Sequence, residues 1–174
     1  IGDAQMAFWN APLDDADHAK HAVKTALQML KNLEEFNNEV AKEGVPPFGM
    51  GLGINTDTVV VGNMGSNQRF DYTCLGDGVN LASRLEGQSK PYGVKIVLGT
   101  KTADYVKDEY FVLELDCIAV KGKKEGVHIY TVLGDSENTG MWYTSKIQHN
   151  RMLEDRKSTR LNSSDTDRSR MPSS

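Results

Sequence analysis

Cysteine is scarce: Cys74 and Cys117 are the only two in 174 residues, far apart and in no CxxC pair. That count argues against a disulfide framework and a thiolate zinc site, and it fits a reducing, cytoplasmic compartment. Long apolar runs are missing too. A membrane helix needs roughly eighteen consecutive apolar residues, and no aliphatic stretch is longer than the three residues of Val59-Val60-Val61. No excess of positive charge exists, since the net charge is −4, so no nucleic-acid partner is expected. The histidines, His18, His21, His128 and His149, form neither HExxH nor HxH. His18 and His21 lie three apart on an expected helix, where a solvated pair is a better reading than a metal site.

What is present is the profile of a soluble globular chain, 39% hydrophobic and 25% charged, long enough for one ordinary domain. It opens without methionine at Ile1-Gly2-Asp3 and is expected to be a portion of a longer protein, leaving open a membrane anchor or sensor upstream. From Arg156 onward, "RKSTRLNSSDTDRSRMPSS" carries one leucine, one methionine and no aromatic residue. Such a segment is too poor in apolar surface to order itself. Residues 156–174 are expected to be a disordered tail, read as non-native, with a native tail as the alternative.

Between these ends the pattern predicts α+β. "AQMAFW" reads as a short strand, followed by a long helix with Asp14 or Asp15 at its N-cap. The helix carries an apolar stripe of Ala22, Val23, Ala26, Leu27, Leu30, Leu33, Phe36 and Val40, closed by Gly44 and two prolines. In "FGMGLGIN" glycines 49, 51 and 53 alternate with apolar residues. That spacing fits a strand with one bare face, against which another backbone packs, and does not fit a phosphate loop. Asn55-Thr56-Asp57 is expected to turn the chain so that "TVVVGN" returns as the hairpin partner. "VKIVLG", "YFVLELDCIAV" and "VHIYTVLG" read as strands, and "TKTADYVKD" as a helix capped by Thr100. The expected sheet is mixed or antiparallel with helices on one face. Residues 135–155 read as a linker and the start of a further helix.

The stretch "RFDYTCLGDGVNLASRLE", residues 69–86, is richer in polar groups than a structural strand and helix require. Asn80 and Arg84 are four apart on the helix expected from Asp77, hence on one face. An amide and a guanidinium one turn apart could straddle a sugar and a phosphate, the fork of Arg84 matching phosphate oxygens. The plain alternative is a surface ion pair between Arg84 and Glu86, with Asn80 as a cap.

Four segments in register weigh against that alternative: "IGDA" at 1–4, "GINT…VVVGNMGS" at 53–66, "DYTCLGDGVNLASRLE" at 71–86 and "VKGK" at 120–123. Together they resemble the class III nucleotidyl cyclase catalytic domain over residues 1–134. The resemblance implies a ferredoxin-like, palm-type fold lacking its amino-terminal portion. It implies an adenylyl cyclase that converts ATP to 3′,5′-cyclic AMP and pyrophosphate with two Mg²⁺ or Mn²⁺ ions. The sites would be shared across a homodimer, in a cytoplasmic domain whose parent is compatible with anchoring at the inner face of the plasma membrane. Asp3 matches a metal-binding aspartate, Asn80 and Arg84 the transition-state pair, Lys121 the triphosphate lysine, and Arg69 a further phosphate-facing candidate. Thr73, seven residues before Asn80, matches the base-reading position and resembles the adenylyl type. Cys74, its neighbour on a strand, is expected to point the other way. A second metal aspartate and a base-reading lysine are expected upstream of Ile1. Two departures stand out: Asp57-Thr58 where the family more usually has Gly-Glu, and Gly78 where alanine or serine is common. A degenerate regulatory or nucleotide-binding module and a guanylyl cyclase remain the alternatives.

Overall fold

The computed structural model describes residues 4–66, 69–119 and 126–135; for Ser66, Arg69, Phe70 and Asp135 it describes the backbone alone. The chain divides into a unit of Ile1–Gly134 and a second of Asp135–Ser174. The expected linker helix and tail lie almost wholly outside the described residues.

Helix α1 spans His18–Val40 and continues into a 3-10 turn, Ala41–Glu43, that ends at Gly44 with φ 77°. Its N-cap is Asp17, not the expected Asp14 or Asp15. Asp15 contributes differently: its carboxylate accepts from the Asp17 amide at 3.1 Å and pairs with His21 Nδ1 at 2.8 Å. The His21 hydrogen bond holds the Asp15 carboxyl below its ordinary value. His18 packs edge-on to Tyr105, while His21 is taken up by Asp15. Of the predicted stripe, Ala22, Val23 and Ala26 are buried together with Ala19, and Leu27 and Leu30 pack against the core. Phe36 is exposed, its ring tilted against that of Phe48.

The expected strand at residues 4–9 is not formed. A strand persists only within a ladder, and none of the described strands pairs with this segment; Phe8 instead packs its ring on Tyr72. β1 is Leu52–Ile54, β2 Val60–Ser66, β3 Arg69–Leu75, β4 Ile96–Gly99, β5 Tyr110–Ile118 and β6 Val127–Asp135. Helices α2 (Asp77–Tyr92) and α3 (Thr100–Val106) flank β4. A four-stranded sheet runs β1-β4-β6-β5, and β2 and β3 form a separate two-stranded ribbon. β1 pairs with β4 in parallel and β4 with β6 antiparallel, so the sheet is mixed, as expected. The expected hairpin of β1 with β2 is corrected: β2 pairs antiparallel with β3. Thr100 is likewise the first residue of α3 and not its cap, which is Gly99; its hydroxyl donates to the His128 carbonyl.

The α+β class stands, but the helices divide between both faces of the sheet. Ile96 and Leu98 of β4 pack with Val23 and Ala26 of α1 and Val106 of α3. Val97, between them, packs on the other side with Leu81 and Leu85 of α2, Leu115 and Ile129. Strand alternation therefore buries every residue of β4. A central strand flanked by helices on both sides loses the one-sided pattern that predicts a bare face.

The alternating glycines behave as the sequence suggested at one key point. A Cβ on Gly53 would collide with the Ala82 carbonyl and with the Glu86 backbone of α2. Strand and helix backbones meet there directly. Gly87, in the same helix, would place a Cβ in open space.

These two glycines predict opposite signs. Gly53→Ala is expected to lose roughly 3 kcal/mol to overpacking. Gly87→Ala is expected to gain up to about 1 kcal/mol, because alanine is the better helix former. Urea midpoints of the two variants measure this; equal midpoints would mean that β1 and α2 do not touch at Gly53.

Candidate active site

Three of the six expected site residues have described side chains, and all three follow from the course of β3 into α2. In β3, Cys74 pairs across the ribbon with Val61 and Thr73 with Gly62. Cys74 is buried at 4% exposure, whereas Thr73 on the opposite face is half-buried. Directly opposed residues share a face, so Thr73 has a glycine beside it, and a Cβ built on Gly62 would meet nothing within 4 Å. The face beside Thr73 is therefore open at Gly62. Val60 and Leu75, the next pair on that face, are 68% and 57% exposed.

The chain leaves β3 through Gly76, the N-cap of α2, at φ 151° and ψ 171°. Only glycine adopts that backbone readily, which accounts for the first glycine of Gly76-Asp77-Gly78. The amides of Val79 and Asn80 both donate to the Gly76 carbonyl, at 3.1 and 3.3 Å. α2 then buries Leu81, Leu85 and Ser89. Asn80 and Arg84 sit one residue before each buried leucine, about 100° around the helix, and both are exposed. Asn80 is the fourth residue of the helix and does not cap it.

Arg69 begins β3, its backbone paired with Ser66. Asp3 and Lys121 lie outside the described residues, so their placement beside Asn80 and Arg84 is not seen. Lys121 falls in the connection from β5 to β6, whose strands are described. Reasoning from sequence missed a set of supporting side chains: Asn55 Nδ2 donates to the Gly78 carbonyl at 3.0 Å, and Lys101 Nζ bonds Asp57 at 2.6 Å. Their only sequence signal was the Asn-Thr-Asp run, read as a turn.

This arrangement matches a family. The family model described as the adenylate and guanylate cyclase catalytic domain covers residues 1–134, and the chain belongs to that family. Among curated proteins it is 41% identical over 133 residues to adenylate cyclase 1 of Rhizobium meliloti (strain 1021), covering 76% of this chain and 20% of that protein. It is 40% identical over 142 residues to the adenylate cyclase of Anabaena cylindrica, covering 76% of this chain and 27% of that one. The chain thus spans about a fifth to a quarter of these relatives. Among solved structures it resembles the adenylyl cyclase CyaB from P. aeruginosa, with TM-score 0.68 and 33% identity over 75% of this chain and 66% of that one. The guanylyl cyclase Cya2 matches with TM-score 0.65 and 35% identity, over 73% and 64%.

The opposed faces of Thr73 and Cys74 give a direct chemical test. A thiol reagent is expected to modify exposed Cys117 quickly and to reach Cys74 only on unfolding. Rapid native-state labelling of Cys74, read by peptide mass, would reverse the facing of β3 and turn Thr73 inward.

Proposed function

We propose that this chain is the catalytic domain of an adenylyl cyclase, converting ATP to 3′,5′-cyclic AMP and pyrophosphate. One observation carries the reading: α2 presents Asn80 and Arg84 on one exposed flank, directly after a strand that turns Thr73 outward. Similarity to adenylate cyclases at 40% and 41% identity supports it. Each group has a distinct task. The Arg84 guanidinium meets charge that builds on the α-phosphate oxygens as the ribose 3′-oxygen attacks phosphorus in line. The bond from the α-phosphorus to the bridging oxygen breaks, pyrophosphate leaves with that electron pair, and the 3′-hydroxyl proton passes to solvent. Asn80 holds the ribose so that the 3′-oxygen stands in near-attack geometry. Thr73 reads the base edge, where its hydroxyl can donate or accept. Gly62 opposite leaves room for a flat ring. Lys121 offers a point charge to the β/γ-phosphate end, and Arg69 supports the same phosphates.

Divalent Mg²⁺ or Mn²⁺, held in part by Asp3, would supply Lewis acidity toward the 3′-hydroxyl when bound. Among the described residues no cluster of three or more carboxylate, histidine or cysteine side chains is placed to hold a metal, so no step is derived through the ions. The working unit is proposed to be a homodimer sharing its sites, with residues 69–86 and the β5–β6 arm at the seam. Exposure of the apolar pair Val60 and Leu75 beside Thr73 supports a surface that another chain covers. A cytoplasmic location for the domain belongs to the same proposal and draws on the scarcity of cysteine.

The protein expressed from its complete gene, incubated with Mn²⁺ and either nucleotide, tests this. Cyclic AMP from ATP is expected to form faster than cyclic GMP from GTP; the reverse order would make it a guanylyl cyclase, and no product from either would leave a binding module. Arg84→Ala is expected to lower kcat by about 10²–10³-fold, as loss of one preorganised transition-state donor does. Lys121→Ala should mainly raise KM.

A further inference from the structure

The loop between β1 and β2, residues 55–59, is tied by side chains to two helices at once. Asn55 Nδ2 donates to the Gly78 carbonyl in the first turn of α2, at 3.0 Å. Thr56 Oγ1 lies 2.9 Å from Thr102 Oγ1, and Thr102 is fully buried in α3. Asp57 Oδ1 bonds Lys101 Nζ of α3 at 2.6 Å and accepts from the Thr58 amide at 3.0 Å. Those tethers leave the Asp57 side chain little freedom to swing. Its Cβ stands 2.6 Å from where a Cβ on Gly78 would lie, with Val59 Cγ1 at 3.3 Å. A Cβ is fixed to its own backbone and cannot rotate out of the way. Any side chain at position 78 must therefore push α2 or the loop, whereas the absence of one lets Asp57 fill the gap.

We propose that Asp57 and Gly78 are a matched pair of positioning residues that fix the first turn of α2, and through it Asn80 and Arg84, against the first turn of α3. The pair touches no substrate. It sets where the exposed flank of α2 points, so displacing it lowers turnover more than it weakens nucleotide binding. The kinetic part of this inference rests on the cyclase reading; the packing part does not.

Four variants in the protein expressed from its complete gene decide it: Gly78→Ala, Asp57→Gly, and the doubles of Gly78→Ala with Asp57→Gly or with Asp57→Ala. Gly78→Ala is expected to lower kcat about tenfold or more, since small misplacements of reacting groups have large costs. Its KM for ATP should stay within about twofold, the signature of an interaction made in the transition state. Hydrogen exchange at the Val79 and Asn80 amides should quicken. Asp57→Gly, which removes the colliding Cβ, is expected to restore kcat and exchange in the double to about those of Asp57→Gly alone. Asp57→Ala keeps that Cβ and should not, although it removes the same charge. Should Gly78→Ala yield no folded protein, recovery of folding in the first double but not the second reads the same way. Equal rescue by both, or unchanged kcat and exchange in Gly78→Ala, would overturn the pair. Absence of turnover in the unsubstituted protein would count against the cyclase reading, and the exchange comparison would still decide the packing.

Discussion

The direct meeting of β1 and α2 at Gly53 governs the geometry of everything downstream. With no side chain between them, the strand lies against the Ala82 carbonyl and the Glu86 backbone. That approach lets Leu81 and Leu85 reach Val97, Leu115 and Ile129 on the same face of the sheet. Full burial of a leucine is worth about 2–3 kcal/mol, so the rotation of α2 about its axis is held by packing and not by surface contacts. Asn80 and Arg84 inherit that rotation. They precede the buried leucines by one residue each and are therefore referenced to the best-packed part of the molecule while remaining exposed.

A second constraint separates the β2–β3 ribbon from the main sheet. β1 enters the sheet beside β4, in parallel, and a parallel partner demands a crossover connection. The crossover here contains β2, β3 and α2 in turn. The ribbon thus delivers Thr73 and α2 delivers Asn80 and Arg84 as parts of one excursion from the sheet. Polar groups that would compete for core positions inside a sheet find solvent on such an excursion. The exposed Val60–Leu75 pair belongs to this same two-stranded ribbon.

Local patterns in the sequence carried over well, and non-local pairings less so. The stripe of α1 was legible because a helix writes its buried face at a fixed period. Gly53 was legible because alternating glycines leave few other physical readings. The opposed facing of Thr73 and Cys74 needed only the two-residue period of a strand. Pairing of β1 failed for a specific reason: Asn55-Thr56-Asp57 has the composition of a hairpin turn, but its side chains are used by Gly78, Thr102 and Lys101, which lie 23 to 46 residues away. Composition cannot distinguish a turn residue bonded to its own loop from one bonded across the fold. The placement of helices on both faces was hidden for a similar reason, since β4 is too short to reveal whether it is buried on one side or two. Asp3 and Lys121 were expected through resemblance alone and lie outside the described residues.

The stretch 69–86 resolves into two interleaved sets of residues. Gly76 answers to a backbone angle, Gly78 to the bulk of Asp57, and Leu81 and Leu85 to the core. Thr73, Asn80 and Arg84 answer to none of these demands of burial or backbone geometry. A helix locked by close contact at Gly53 and by the Asn55 hydrogen bond at Gly78 has two fixed points along its first three turns. Two fixed points remove both sliding and rotation, which a single one would leave. Catalytic groups gain most from such locking, because donors already aimed at developing charge avoid the cost of reorganising when the charge appears. The departures from the family pattern at Asp57 and Gly78 lie against each other in space, at the start of the helix that carries Asn80 and Arg84.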